Sequence, residues 1–325
     1  MSTIIPGIFI ESIATWLPKN KYSVLSFCDR FPEEQVKDVI KATGAETVYR
    51  ADKGQKASDM CVKAAEYLFK EENTDKSLID GVVFVSSTRD WMIPDTAVAL
   101  QHRLGLPRDI ICQDINYGCA GFIYGLLQAS MWIHCGMSNK VLVLTCEVLE
   151  PYLNPESVGS VEVSDAACAC IVGKGDSNIG FHLASDGAKC ENIILPYDGT
   201  FFQDGMTVFT YGISHAPKSI NSVMDVMGWQ EPDVQLFALH QSNNMIIKSV
   251  RMSLKSNKEK FPTNMKDYGN TSCSTIPLLL CDLYGDNNKT PQPERAILCA
   301  YGSGLTCGSA AVDISRTHFY KPIHI

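Results

Sequence analysis

The chain is expected to fold as an α/β protein of five layers, α/β/α/β/α, made from two copies of one plan. Short runs that are apolar on both faces alternate with longer helix-like runs, the pattern of sheets covered by helices on both sides. The order of those runs repeats across the chain at a nearly constant spacing. No Pro- or Ser-rich linker separates the copies, so two tightly fused halves are expected, 1–175 and 176–325, meeting after Gly173-Lys174-Gly175-Asp176.

The matched elements can be taken in order. Val82-Val83-Phe84-Val85 reads as a strand and corresponds to Leu236-Phe237-Ala238-Leu239, with 153 residues from Phe84 to Phe237. Residues 110–115 read as a strand that breaks through Asn116-Tyr117-Gly118 into a helix-like run over 120–135. Tyr117-Gly118-Cys119-Ala120 corresponds to Tyr268-Gly269-Asn270-Thr271 at an offset of 151. Val141-Leu142-Val143-Leu144 corresponds to Ala296-Ile297-Leu298-Cys299 at an offset of 155, with the polar loop 286–294 as the insertion. Cys168-Ala169-Cys170 alternates along a further strand.

Composition narrows the function. With 325 residues, 45% hydrophobic and 20% charged, the chain can bury a large core and shows no biased tract. A net charge of −8 argues against nucleic acid or an anionic membrane as partner, since either needs a basic face. The N-terminal apolar run is broken by Pro6, Gly7 and Glu11 and lacks a basic leader, so no signal peptide is read, and no apolar stretch is long enough for a spanning helix. Thirteen scattered cysteines, without a C-x-x-C pair, read as buried thiols of a reducing compartment, and the expected location is the cytoplasm. No metal-ligand spacing, P-loop or dinucleotide fingerprint is present, so no metal and no permanently bound cofactor is expected.

Three residues carry the chemistry. Cys119 falls at a helix N-terminus, where unpaired N–H groups and the helix dipole favour thiolate over thiol. His240 follows the strand 236–239, at the carboxyl end where α/β sheets place their chemistry. Asn270 occupies the duplicated counterpart of Cys119. Taken singly, a cysteine is usually inert packing, a histidine structural and an asparagine after glycine a cap. Matching loop ends in two packed halves should nonetheless bring all three to one site. The Gly-rich turn from Tyr301 to Ser309 can add backbone N–H groups as an oxyanion hole.

In DINYGCAGF around Cys119, HQSN from His240 to Asn243, YGNTS from Tyr268 to Ser272 and GSGLTCGSA near the C-terminus, the chain resembles the thiolase superfamily, within it the β-ketoacyl-acyl-carrier-protein synthase III group. The resemblance spans nearly the whole chain and implies a thiolase-like fold. It implies an acyl group moving from a carrier thioester to Cys119, with the N–H groups of Cys119 and Ser303 as oxyanion hole. His240 and Asn270 would then stabilise the enolate formed as a malonyl thioester on acyl carrier protein loses CO₂, giving a 3-oxoacyl thioester; the histidine must be neutral for this. It assigns Ile93, Gly205, Phe209 and Asn243 to substrate binding, Ile93 through a partner subunit, and suggests Phe201 and Phe202 beside Phe209 as a pocket roof. Acyl-CoA or acyl carrier protein, with malonyl carrier protein, are the implied substrates, and a homodimer the implied assembly, with a heterodimer left open.

Departures from the family pattern cluster where coenzyme A enters. Asp38 and Ala42 stand where the family has an aromatic residue and an arginine, and Met245 replaces a common basic residue. Lys248, Arg251 and Lys255 share one face of the following helix-like run and could dock an acidic carrier protein. The altered mouth points toward a specialised-metabolite role. A papain-like protease shares the Cys, His, Asn order, but this chain lacks the C-G-S-C-W context of that family, which also needs no duplication. Two alternatives stay open: transfer of the acyl group to an O, N or other nucleophile without decarboxylation, and a non-catalytic subunit of a heterodimer.

Overall fold

The computed structural model describes residues 1–197, 199–286 and 291–324. In chain order the elements of the first half are β1 (Ser2–Leu17), β2 (Asn20–Ser23), α1 (Glu33–Thr43), β3 (Thr47–Arg50), α2 (Ala57–Glu72), β4 (Gly81–Val85), α3 (Thr96–Arg103), β5 (Ile111–Ile115), α4 (Gly121–His134) and β6 (Lys140–Glu147). They continue with β7 (Ala166–Ser185), β8 (Ile193–Ile194), β9 (Phe202–Gln203), α5 (Gly205–Met227), β10 (Leu236–Leu239), α6 (Asn244–Ser253), α7 (Met265–Tyr268), α8 (Thr275–Tyr284), β11 (Ala296–Gly302), β12 (Thr306–Val312), β13 (His318–Phe319) and β14 (Ile323–His324).

The duplication is visible in the pairing. β4 runs parallel to β6, which is antiparallel to the first part of β7; β10 runs parallel to β11, which is antiparallel to β12. Where two separate sheets were expected, hydrogen bonding is continuous, in the order β10-β11-β12-β7-β6-β4-β5, with β1 antiparallel along β7. The cause is the length of β7, whose first part pairs with β6 and whose last part pairs with β12. The division between residues 175 and 176 therefore falls inside one strand.

Period-two alternation along the strands builds the layers. Val82, Phe84, Leu142 and Leu144 face α2 and α3 on one outer side. Val83, Val85 and Val143 face the opposite way, onto α4 and α8, which meet Leu236, Ala238 and Leu298 of the second half on their other side. Phe237, Leu239, Ile297 and Cys299 then cover α5 and α6. The five layers are thus α2 and α3, sheet, α4 and α8, sheet, α5 and α6. Small residues let the middle layer close up: a β-carbon on Gly121 of α4 would lie 2.5 Å from a Val85 methyl. Cys168 and Cys170 share one face of β7 and pack in this middle layer, and all thirteen cysteines are free. Of the expected insertion 286–294, residues 287–290 lie outside the described ones.

Candidate active site

The strand β5 delivers the chain to Cys119, and a tight turn with Gly121 N–H on the Gly118 carbonyl at 2.7 Å starts α4 directly after it. Cys119 is half-buried and lines a cavity of about 590 Å³. Gly302, at the end of β11, crosses close above it; a β-carbon there would stand 2.9 Å from Sγ. The expected thiolate is not what the surroundings favour. Burial, with the nearby Glu147 carboxyl adding to it, pushes the thiol up to about 11, while the Ser272 hydroxyl and the N–H groups of Cys119 and Ser303 pull the other way. Removing the sulfur from water outweighs the hydrogen-bond donors around it. Those two N–H groups are nevertheless the pair expected at an oxyanion.

Asn270 enters the same cavity from the second half. Gly269 before it adopts φ 65°, and a β-carbon at that position would meet the Glu162 carbonyl at 2.8 Å. Glycine is therefore required by both conformation and space. The Asn270 backbone then clips onto the first half, donating N–H to Glu162 O at 2.9 Å and accepting from Ser164 N–H at 2.9 Å. Its Oδ1 accepts from Ser272 N–H at 3.1 Å, which fixes the amide, and no other described residue takes its Nδ2 hydrogens.

His240 extends β10, donating its N–H to Cys299 O at 2.8 Å. It is 1% exposed and is not itself among the lining residues, though Ser242 and Asn243 just after it are; its ring is edge-on to Tyr301 with centroids 5.7 Å apart. Burial holds its pKa down at about 3, so the imidazole is neutral. Nδ1 lies 2.7 Å from Thr275 Oγ1, which itself can donate to Ser272 O at 3.0 Å; Nε2 is buried without a partner. The hydroxyl has one proton. Given to Ser272, it leaves the imidazole proton on Nδ1; given to Nδ1, it places that proton on Nε2.

Other expected residues divide. Gly205, Phe209, Asn243 and Ser303 line the cavity, as does Phe201. Phe202 does not, being 53% exposed in the short β8–β9 hairpin. Ile93 is 86% exposed beside Met92 and lies outside its own chain's cavity. The basic stripe is also broken: α6 ends at Ser253, and Lys255 sits beyond it with φ 54°. Arg251 turns to donate to Ser256 O at 3.2 Å, leaving Lys248 and Lys255 exposed but not on one helical face. Asp38 and Ala42 lie on the cavity wall that α1 supplies.

Two acids went unnoticed in the sequence. Glu147 is buried near Cys119, its carboxylate taking the Ser87 N–H at 2.9 Å and the Thr88 hydroxyl at 3.0 Å; burial raises it to about 7. Glu162 lines the cavity. The signal in the sequence was an acid set between two apolar residues, Val161 and Val163.

Five layers, a duplicated strand plan and a cysteine heading the central helix define a protein of the thiolase superfamily. A model of 3-oxoacyl-[acyl-carrier-protein] synthase III matches residues 113–187, and the model of that enzyme's C-terminal part matches 224–314. Beta-ketoacyl-[acyl-carrier-protein] synthase III 2 of Streptomyces coelicolor is 33% identical over 277 residues, covering 83% of each chain. The beta-ketoacyl-[acyl-carrier-protein] synthase III of Campylobacter fetus is 30% identical over 320 residues, covering 93% of this chain and 96% of its own. The crystal structure of a 3-oxoacyl-(acyl-carrier protein) synthase from Burkholderia xenovorans superposes with a TM-score of 0.94 at 26% identity, covering 100% of this chain and 99% of that one. The chain belongs to the 3-oxoacyl-[acyl-carrier-protein] synthase III family, and is a transferase.

Proposed function

We propose that the protein takes an acyl group from a carrier thioester onto Cys119 and condenses it with a malonyl thioester on acyl carrier protein, giving a 3-oxoacyl thioester. The observation that carries the reading is one cavity lined by Cys119 from the first half and Asn270 from the second. In the first step the Cys119 sulfur attacks the thioester carbonyl and gives up its proton. The oxyanion lies against the N–H groups of Cys119 and Ser303, and the carrier leaves as its thiol. In the second step the malonyl thioester loses CO₂, and its enolate oxygen takes hydrogen bonds from Asn270 Nδ2 and from His240 Nε2–H. The carbanion attacks the acyl carbon, the C–C bond forms, and the C–S bond to Cys119 breaks with its electron pair on sulfur, which takes a proton from solvent. The second step needs the tautomer in which Thr275 donates to Nδ1.

Intact-protein mass after incubation with acyl-CoA or acyl carrier protein tests the first step, and CO₂ release with malonyl carrier protein tests the second. Absence of a Cys119-dependent adduct with every donor overturns the proposal. Ile93 keeps a substrate role only through a second subunit, which makes a homodimer part of this reading. Transfer to another nucleophile without decarboxylation is the second reading, favoured by a cavity lining that contains Asp38 and Glu162 but, among the described residues, no Lys, Arg or His to meet a malonyl carboxylate.

A further inference from the structure

The condensation leaves Glu162 unused. Glu162 lines the cavity that holds Cys119 and Asn270, and its main-chain carbonyl carries the Asn270 N–H, so it stands on the side where the second substrate is met. The carboxyl has no hydrogen-bond partner among the described residues, its Oε2 lying just under the surface, and burial alone raises its pKa to about 8. A carboxyl without a partner is costly, and a small rotation that turns it to the cavity would let the substrate supply the missing partner. Asp38 adds a second acid to the lining, and none of the described lining residues is a Lys, Arg or His. A cation that enters beside these two carboxyls would favour the ionised form of Glu162 over the neutral one, which an uncharged guest cannot do.

We propose that Glu162 gives this site a second outlet for the acyl group, transfer to a primary amine that enters as an ammonium ion and pairs with the Glu162 carboxylate. The inference rests on the acyl-Cys119 reading and adds an acceptor to it. The ammonium supplies the charge that keeps Glu162 ionised, then passes one proton to it and becomes the free amine. Nitrogen attacks the acyl carbon, the C–N bond forms, and the C–S bond breaks with its electron pair on Cys119. The sulfur takes the remaining surplus proton from nitrogen, and Glu162 returns its own to solvent. The products are an amide and the Cys119 thiol. An alcohol of the same shape could hydrogen-bond to Glu162 but would gain nothing from the acidic lining.

Two measurements test this, and they fail separately. First, calorimetry on the Cys119→Ala protein at pH 7 compares n-hexylammonium chloride with 1-hexanol. The ammonium should bind at least about tenfold tighter, and Glu162→Gln in that background should erase the preference. Equal binding of the two probes, or a preference that survives Glu162→Gln, overturns the role of Glu162 whether or not Cys119 is ever acylated. Second, protein charged with octanoyl-CoA is freed of donor and mixed with n-hexylamine. N-hexyloctanamide should form at least about tenfold faster than from octanoyl-CoA in buffer. A failure to load Cys119 is seen at the charging step and sinks the underlying reading. Loaded protein that yields no amide sinks the second outlet alone.

Discussion

Gly302 passes so close to Cys119 that a β-carbon on it would lie 2.5 Å from the cysteine Cβ. The contact joins the halves at the sulfur: β11 belongs to the second, while Cys119 heads α4 of the first. It also sets where the next residue, Ser303, presents its N–H.

Gly302→Ala should therefore strike the first step while sparing the fold. A methyl group in that gap has to push Cys119 or the 302–304 turn aside, at about 1–3 kcal/mol of overpacking. Acylation by octanoyl-CoA, followed by intact mass, should slow by about a hundredfold or more. A variant that folds and acylates at the parent rate would show that the turn does not position the oxyanion donor.

Asn270→Ala should separate the two steps. The Ser272 N–H loses its partner, a loss of about 1–2 kcal/mol in denaturant unfolding. Cys119 should still acylate, whereas 3-oxoacyl product should fall by about 10²–10³-fold, the size of effect known for one oxyanion donor. Equal loss of both steps would place Asn270 in acylation instead.

Thr275→Val removes the hydroxyl 2.7 Å from His240 Nδ1. Leaving that buried nitrogen unpaired should cost about 1–3 kcal/mol. If Thr275 sets the tautomer, ¹⁵N NMR of the imidazole should show the protonated nitrogen change between parent and variant, with the condensation rate falling alongside. Identical ¹⁵N spectra would refute tautomer control.

The pH dependence of stability has a definite sign. Burial raises Glu162 to about 8 and Glu147 to about 7, from an ordinary 4.5. Both groups hold protons in the folded chain that the unfolded chain has already released. Their contribution is complete below about 4.5, and is lost as pH rises through 7 and 8. Urea midpoints should fall between pH 5 and pH 8, and Glu162→Gln should lessen that fall. A midpoint that falls as steeply in the variant would mean that Glu162 ionises freely in the folded state.

Much of the fold and the core of the site were legible in the chain itself. The repeat of strand, turn and helix was local in origin, because the central strands are apolar on both faces and the turns at Cys119, Asn270 and Ser303 each carry a glycine beside them. Cys119, Asn270 and the 302–304 turn could be read from it, since they sit at equivalent loop ends or in a Gly-rich run. The long β7 hid its double pairing, because a strand that changes partners midway has no periodicity of its own. Local spacing also misplaced Lys255, where the helix stops two residues early and the chain turns left-handed.

By itself, then, the sequence determined the duplicated α/β plan, the nucleophile and its carboxamide counterpart, for those follow from neighbours along the chain. Only the tertiary structure decided that Cys119 is held as a thiol, that His240 is buried and neutral, and that the Glu162 carboxyl stands unpartnered near Asn270 among the described residues. Each of these depends on how much water the packed layers exclude from a group. Burial of that kind is created by residues more than a hundred positions away.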